Sequence, residues 1–367
     1  MKKVLITGAY GFLGRNLSAT LERLDDFEIL KYGSHDDFAQ LESYVDKADF
    51  IFHLAGVNRP KEVGEFEVGN RQFTERLVDL LKKNGRNIPL LISSSLQAAM
   101  DNPYGISKKG AEEAVIRYAR ETGSKVCIYR LPNVFGKWSR PNYNSVVATW
   151  CHNLSRDLPI EIHHPDTELN LVYVDDVVEE FINALYGREN RENDVFCSVK
   201  RTFRVTLGQL ANMLHSIKDS RDTLIMPNLE GDLDKFLYAT YISYLPKDQF
   251  GYSLEMKCDD RGWLAEFMKS RHFGQIFISR TKPGITRGNH WHHTKVEKFL
   301  VIEGKALIRF RQNEGSDVIE YVVSGEHLRV LDIPPGYTHS ITNIGDKDVL
   351  TLFWANEIFD PDRPDTH

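Results

Sequence analysis

The hydrophobic rhythm of this 367-residue chain changes once, and the change dictates two domains of different class. In the first half, short apolar runs alternate with amphipathic stretches. VLIT (4–7), FEIL (27–30), DFIFHLAG (49–56) and PLLISSS (89–95) read as buried strands, with NLSATLERL and RQFTERLVDLLKKNG as helices between them. The second of these helices carries apolar residues at helical spacing and stops on a glycine. KVCIYRLPNVFG (125–136) adds a further strand and loop. Such alternation predicts a Rossmann-like α/β domain with a parallel, doubly wound sheet. After about Arg271 come closely spaced short strands: QIFISR, EKFLVIEG, KALIRFRQ, VIEYVV, LRVLDIP and DVLTLFWA, parted by Gly, Pro, Asn and Asp turns. That spacing predicts an all-β sandwich or barrel. Residues 200–250 mix helix and polar loop, and YLPKDQFGYSL reads as the linker, giving domains 1–245 and 246–367.

A net charge of −6 argues against a nucleic-acid-binding surface, so any anionic ligand needs a local basic pocket. The four cysteines (Cys127, Cys151, Cys197, Cys258) contain no CxxC pair, which disfavours a disulfide framework and fits a reducing compartment. Strand residues begin at Lys3, leaving no room for a signal peptide, and no apolar run approaches the ~20 residues of a membrane helix. A cytoplasmic location is the expectation.

Gly8-Ala-Tyr10-Gly11-Phe12-Leu13-Gly14 follows the first strand at once and opens a helix. Glycine there lets the backbone approach a pyrophosphate, and the helix N-terminus offers free N–H groups. The second strand ends in KYGSH, and Asp36 and Asp37 arrive late for the usual ribose-binding position. Without that carboxylate a 2′-phosphate meets no repulsion, which favours NADP over NAD, with Ser34, His35 or Arg15 as phosphate contacts. Tyr104-Gly-Ile-Ser-Lys108 starts a helix after Pro103, placing Tyr104 and Lys108 on one face. The ammonium and the cofactor's positive ring would lower the phenol pKa, making Tyr104 a proton donor to a carbonyl. Upstream, Ser93-Ser94-Ser95 ends a strand where a hydroxyl can polarise the same carbonyl.

In the second half, GNHWHHTKVEKFLVIEG holds His290, His292 and Glu297, and PPGYTHSITN holds His339. Residues two apart on a strand share a face, so His290 and His292 can converge on one metal, while His293 should point outward. Three His and one Glu suit Zn, Ni, Fe or Mn.

The first 190 residues resemble the extended short-chain dehydrogenase/reductase superfamily, through GAYGFLG, HLAG (53–56), SSS, YGISK, RLPNVFG (130–136) and LVYVDDVVEEFINAL (171–185). The resemblance implies Tyr104, Lys108 and a serine as the catalytic set, with Leu54, Ala55 and Gly56 joining the glycine loop at the cofactor; the end of the triplet selects Ser95 as that serine. The segment between the second strand and HLAG is short for that family, which points to an abbreviated adenine pocket. The later motifs, HxHxxxxExxxxxxG and PxGxxHxxxN, resemble both signatures of the cupin superfamily and imply a divalent metal, zinc foremost.

As a pair, the halves resemble a family of bifunctional capsular-polysaccharide enzymes, strengthened by DDRGWLAEF (259–267), KPGITRGNHWHHTK (282–295) and PNYNSVVAT (141–149). This likeness spans essentially the whole chain. It implies a UDP-2-acetamido-2,6-dideoxy-4-keto-hexose substrate on the route to UDP-N-acetyl-L-fucosamine. The cupin half would epimerise C3, and the reductase half would reduce the C4 ketone with NADPH to UDP-2-acetamido-2,6-dideoxy-L-talose. Lys137, Arg140, Arg201 and Arg204 are candidate diphosphate partners. Lys305, Tyr337 and Arg287 lie near the metal motifs as possible bases. A homodimer is expected, since cupin barrels often pair. Two other readings fit the same motifs: an NADP- and sugar-binding sensor without turnover, and a reductase fused to a metal-dependent dioxygenase.

Overall fold

The early apolar runs assemble, in the computed structural model, into one six-stranded parallel sheet. Its spatial order is Phe27–Tyr32, Lys2–Thr7, Phe50–His53, Leu90–Ser95, Val126–Leu131 and Phe196–Cys197. Side chains alternate between the faces of each strand. Val4, Ile6 and Phe52 therefore pack on one face with helices Phe12–Leu21 and Val174–Leu185. Leu5, Ile51 and Ile92 pack on the other with helices Phe38–Lys47, Phe73–Asn84 and Pro103–Thr122. The strand order reverses at Lys2–Thr7, which has the second strand on one side and the third on the other. Ligands of open parallel sheets bind at such a switch point. Only helix Phe38–Lys47 separates the edge strand Phe27–Tyr32 from Phe50–His53, consistent with the short segment seen in the sequence.

The second half forms two antiparallel sheets. One runs Met256–Asp259, Gly262–Ser270, Gly274–Thr281, Val349–Ala355, Glu297–Glu303, Val330–Ile333; the other runs Thr286–His290, Tyr337–Asn343, Lys305–Gln312, Val318–Ser324. Phe299, Val301 and Phe353 from the first meet Ile308, Phe310 and Ile341 from the second in a shared core. The β region thus begins before the Arg271 at which the sequence pattern changes. Strand Gly262–Ser270 hides from a period-two search because a bulge between Glu266 and Met268 breaks its alternation.

The structure describes every residue except 314. Two compact units emerge: Met1–Leu214 with Lys235–Leu245, and His215–Asp234 with Pro246–His367. Residues 215–234 are tied to the β unit by Met226 N–H donating to Lys269 O and Lys269 N–H donating to Leu224 O, both at 2.7 Å. Among the described residues, no helix is long and apolar enough to cross a membrane.

His53, at the end of the third strand, is 1% exposed and sits between two hydroxyls. Thr74 donates its own proton to Asn70 O at 2.6 Å, so its oxygen accepts from His53 Nε2 at 2.8 Å; Nδ1 then accepts from Thr7 at 2.7 Å. Burial, reinforced by the charge of Lys108, lowers the His53 pKa from 6.5 to about 3. Between those values the unfolded chain binds a proton that the folded one refuses. This share of stability is complete above pH 6.5 and lost as pH falls toward 3. Denaturant titrations should show about 2 kcal/mol less stability in the first unit at pH 4.5 than at pH 6.5 from this residue. His53→Asn, which cannot protonate, should lack that component.

Candidate functional site

Backbone geometry builds the anion-binding end of the first unit. Gly8 has φ +70°, and a Cβ there would lie 2.6 Å from Ala55 N; one on Gly14 would lie 2.2 Å from Gly8 O. These two glycines are thus required for the loop to pass between Leu54–Ala55 and the first helix turn. Gly11 caps helix Phe12–Leu21 without a side-chain partner, leaving its first N–H groups available to an anion. Tyr10 is 63% exposed, with its ring against Gly33. Ser34 and His35 are exposed at the end of the second strand. A carboxylate does return there: Asp36 Oδ2 accepts the Gly33 N–H at 2.7 Å. Arg76, stacked 3.9 Å from the Phe38 ring, brings a positive charge that acts on Tyr32 at the same strand end. Arg15 lies over Trp138, 5.3 Å from the ring centroid.

Helix Pro103–Thr122 starts with Asn102 accepting the Gly105 N–H at 2.8 Å and Pro103 in its first turn. A Cβ on Gly105 would lie 2.2 Å from Gln97 O and 2.5 Å from Met100 O. This close approach lets the helix press against the turn that follows Ser95. The Ser95 hydroxyl is thereby brought near enough to act on the Tyr104 phenol. Ser94 points elsewhere, donating to buried Glu112, which also takes Arg130 through two hydrogen bonds. Lys108 is 7% exposed, donates to Ser93 O at 2.8 Å, and has its pKa lowered to about 8 by burial, against the pull of Glu112. Burial raises the Tyr104 pKa, opposed by the Ser95 hydroxyl, while the Lys108 ammonium is drawn to the Ser93 carbonyl.

Asn70 was not evident from the sequence. It is 2% exposed, exchanges hydrogen bonds with Val57 N and O at 2.8 and 2.9 Å, and donates to Ser107 Oγ at 2.9 Å. It therefore fastens the segment after HLAG to the helix carrying Tyr104 and Lys108. The residue sits on the π-helical turn Glu67–Gln72, a distortion common at functional sites. A Cβ on Gly56 would meet Asn70 Oδ1 at 2.9 Å and Lys108 Nζ at 3.4 Å, so all three groups crowd one point.

Two of the four candidate diphosphate cations are engaged internally. Lys137 pairs with Asp175, and Arg201 holds the nearly buried Asp176 while stacking on Phe236. Arg140 lies over the Tyr143 ring, and Arg204 is exposed on strand Phe203–Thr206.

In the β unit, His290, His292, Glu297 and His339 converge, with one ligand atom from each lying within 4.8 Å of the others. Glu297 Oε2 is 3.4 Å from Nε2 of both His292 and His339. Those two nitrogens are buried with no hydrogen-bond partner, so their lone pairs face a common centre. Orphaned imidazole nitrogens around a carboxylate oxygen fit a divalent cation. His293 is exposed and outside the cluster, against Trp291 and His367. A bulge between Gly288 and His290, with Asn289 at φ +64°, re-aims the strand at the first ligand. Of the possible bases, Lys305 is exposed, Tyr337 gives its carbonyl to His339 Nδ1, and Arg287 turns to Asp259. Lys295, which no motif singles out, is 5% exposed and its charge acts on His290 and His292.

Comparison with known proteins agrees with this two-part geometry. Residues 4–196 match the family model described as the NAD dependent epimerase/dehydratase family, and residues 257–367 match the polysaccharide biosynthesis C-terminal domain. The UDP-2-acetamido-2,6-beta-L-arabino-hexul-4-ose reductase of Pseudomonas aeruginosa is 45% identical over 365 residues, 100% of this chain and 98% of that protein. The crystal structure of the capsular polysaccharide assembling protein CapF from Staphylococcus aureus has a TM-score of 0.93 at 49% identity, covering 99% of this chain and 98% of its own. UDP-glucuronic acid 4-epimerase from Bacillus cereus, at 17% identity and TM-score 0.55, shares the fold over 66% of this chain and 96% of its own. This chain therefore belongs to the NAD dependent epimerase/dehydratase family, and within it to the CapF-like proteins that also carry a polysaccharide biosynthesis C-terminal domain.

Proposed function

We propose that this chain is a bifunctional nucleotide-sugar enzyme. Its β unit, a cupin-type metal domain, epimerises C3 of a UDP-2-acetamido-2,6-dideoxy-4-keto-hexose. Its first unit then reduces the C4 ketone with NADPH to UDP-2-acetamido-2,6-dideoxy-L-talose, on the route to UDP-N-acetyl-L-fucosamine for capsule or O-antigen. The observation that carries this reading is the convergence of Ser95, Tyr104 and buried Lys108 where the close-packed helix start meets the serine strand, in a chain related end to end to a hexul-4-ose reductase.

The order of steps follows from carbonyl chemistry. The C3 proton is acidic only while C4 is a ketone, because the anion left behind delocalises onto oxygen. Reduction removes that acidity, so epimerisation comes first. His290, His292, Glu297 and His339 would hold the cation, which when bound supplies positive charge for an enolate. Lys295 adds to that field.

In the first unit the glycine loop and the uncapped helix N-terminus would hold the dinucleotide pyrophosphate, with Leu54, Ala55 and Gly56 closing beneath it. Arg76 brings a positive charge to the end of the second strand beside exposed Ser34 and His35, and this favours NADPH against the opposing carboxylate of Asp36. When bound, NADPH supplies the hydride. Ser95 polarises the C4 oxygen and Tyr104 delivers its proton there. Lys108 keeps positive charge beneath the developing phenolate. Because its pKa is about 8, kcat/KM for reduction should fall above that pH as the ammonium deprotonates. Steady-state rates from pH 6 to 10 check this, and a flat alkaline limb would remove Lys108 from that role.

Incubation with UDP-4-keto-6-deoxy-N-acetylhexosamine in deuterated buffer tests the whole reading. Deuterium should enter C3 without NADPH, and an alcohol should form once it is added. A protein that does neither is not this enzyme.

A further inference from the structure

The turn Trp291–Lys295 joins strands Thr286–His290 and Glu297–Glu303, so three of the four clustered side chains sit on it or at its ends. Such a turn has no sheet ladder of its own to hold it. Its successive N–H groups are instead gathered by one carboxylate about seventy residues later. Asp365 accepts His293 N–H at 2.8 Å through Oδ1, and Thr294 and Lys295 N–H at 2.8 and 2.9 Å through Oδ2. The Thr294 hydroxyl adds a fourth bond at 3.2 Å. Converging backbone N–H groups form an anion-binding concavity, here filled by a side chain of the same protein.

The main chain on either side completes the attachment. Trp291 and His367 exchange backbone hydrogen bonds, both 3.1 Å long. The Asp365 carbonyl meets His292 Nδ1. A carbonyl can only accept, so the proton must reside on Nδ1, and the Nε2 lone pair is left facing Glu297 and His339.

We infer that Asp365 is a positioning residue for the metal cluster: its carboxylate clamps the Trp291–Lys295 turn, and its carbonyl sets the tautomer of His292. The inference rests on the proposed metal site and extends it to a segment that no metal-binding motif includes. Groups that orient metal-bound imidazoles typically change metal affinity by about 10–100-fold when removed.

The test uses the full chain, freed of metal and titrated with Co²⁺ against a chromophoric chelator. Asp365→Ala should weaken Co²⁺ binding by about 10–100-fold and shift the visible d–d bands, because the ligands are no longer held in one geometry. Asp365→Asn, which retains an acceptor oxygen, should restore most of the affinity and spectrum. NADPH binding, followed by fluorescence, reports that the rest of the chain is folded. Wild-type Co²⁺ affinity and bands in Asp365→Ala, alongside weakened binding in His290→Ala, would overturn the clamp alone. A wild-type protein that takes up no Co²⁺ would overturn the metal reading and the clamp together.

Discussion

Tyr104→Phe is expected to lower NADPH-dependent ketone reduction by about 10²–10⁴-fold, the usual share of a positioned proton donor. Deuterium incorporation at C3 should continue at the wild-type rate. The ring stays in place, so its packing against Phe66, with centroids 5.5 Å apart, is retained and only the hydroxyl is lost. NADPH affinity should change little, since the pyrophosphate contacts belong to the Gly8–Gly14 loop. Stopped-flow oxidation of NADPH and mass spectrometry of the sugar measure the two activities on one sample. Loss of both in a normally folded variant would show that one site performs both steps.

The converse experiment removes a metal ligand. His290→Ala should abolish C3 exchange to within the background rate and weaken Zn²⁺ binding by at least about 100-fold, a larger loss than second-layer groups give. Reduction of a substrate already epimerised at C3 should persist. The ring of His290 lies 4.9 Å from His292 and 4.7 Å from His339, so its removal opens one side of the cluster and leaves the other three side chains in place. His290 is only half-buried, which makes a folding defect the smaller effect. Chelator competition and solvent-deuterium exchange provide the measurements. Full exchange without bound Zn²⁺ would assign the cation a purely structural role.

What the sequence disclosed about these sites was local. The glycine loop, Tyr104 with Lys108, and the His290, His292 and Glu297 spacing lie within runs of a few residues, where helix or strand periodicity determines relative direction. Ser95 stands out because the serine triplet ends there, and the close approach of Gly105 to Gln97 and Met100 sets the helix of Tyr104 against the turn that follows. Contacts between distant segments left no such trace. Asn70 reaches Ser107, Gly105 reaches Gln97 and Met100, and Asp365 reaches the Trp291–Lys295 turn only after the chain has folded. Charge was the least readable property. Lys137 and Arg201 look like phosphate ligands in sequence, yet each is engaged by an aspartate from the YVDD segment. Asp36 arrives late for the ribose position, but a tight turn brings its carboxylate back to Gly33.

The excursion of residues 215–234 into the β unit bears on how the two activities can be dissected. A fragment ending at Leu245 would keep that excursion while discarding Lys269 and Gln249, which receive hydrogen bonds from Met226 and Arg221. A fragment starting at Pro246 would bare the opposite side of the same joint. Scission at the apparent linker therefore damages both products, and single-residue replacements in the intact polypeptide are the sound way to assign each chemical step.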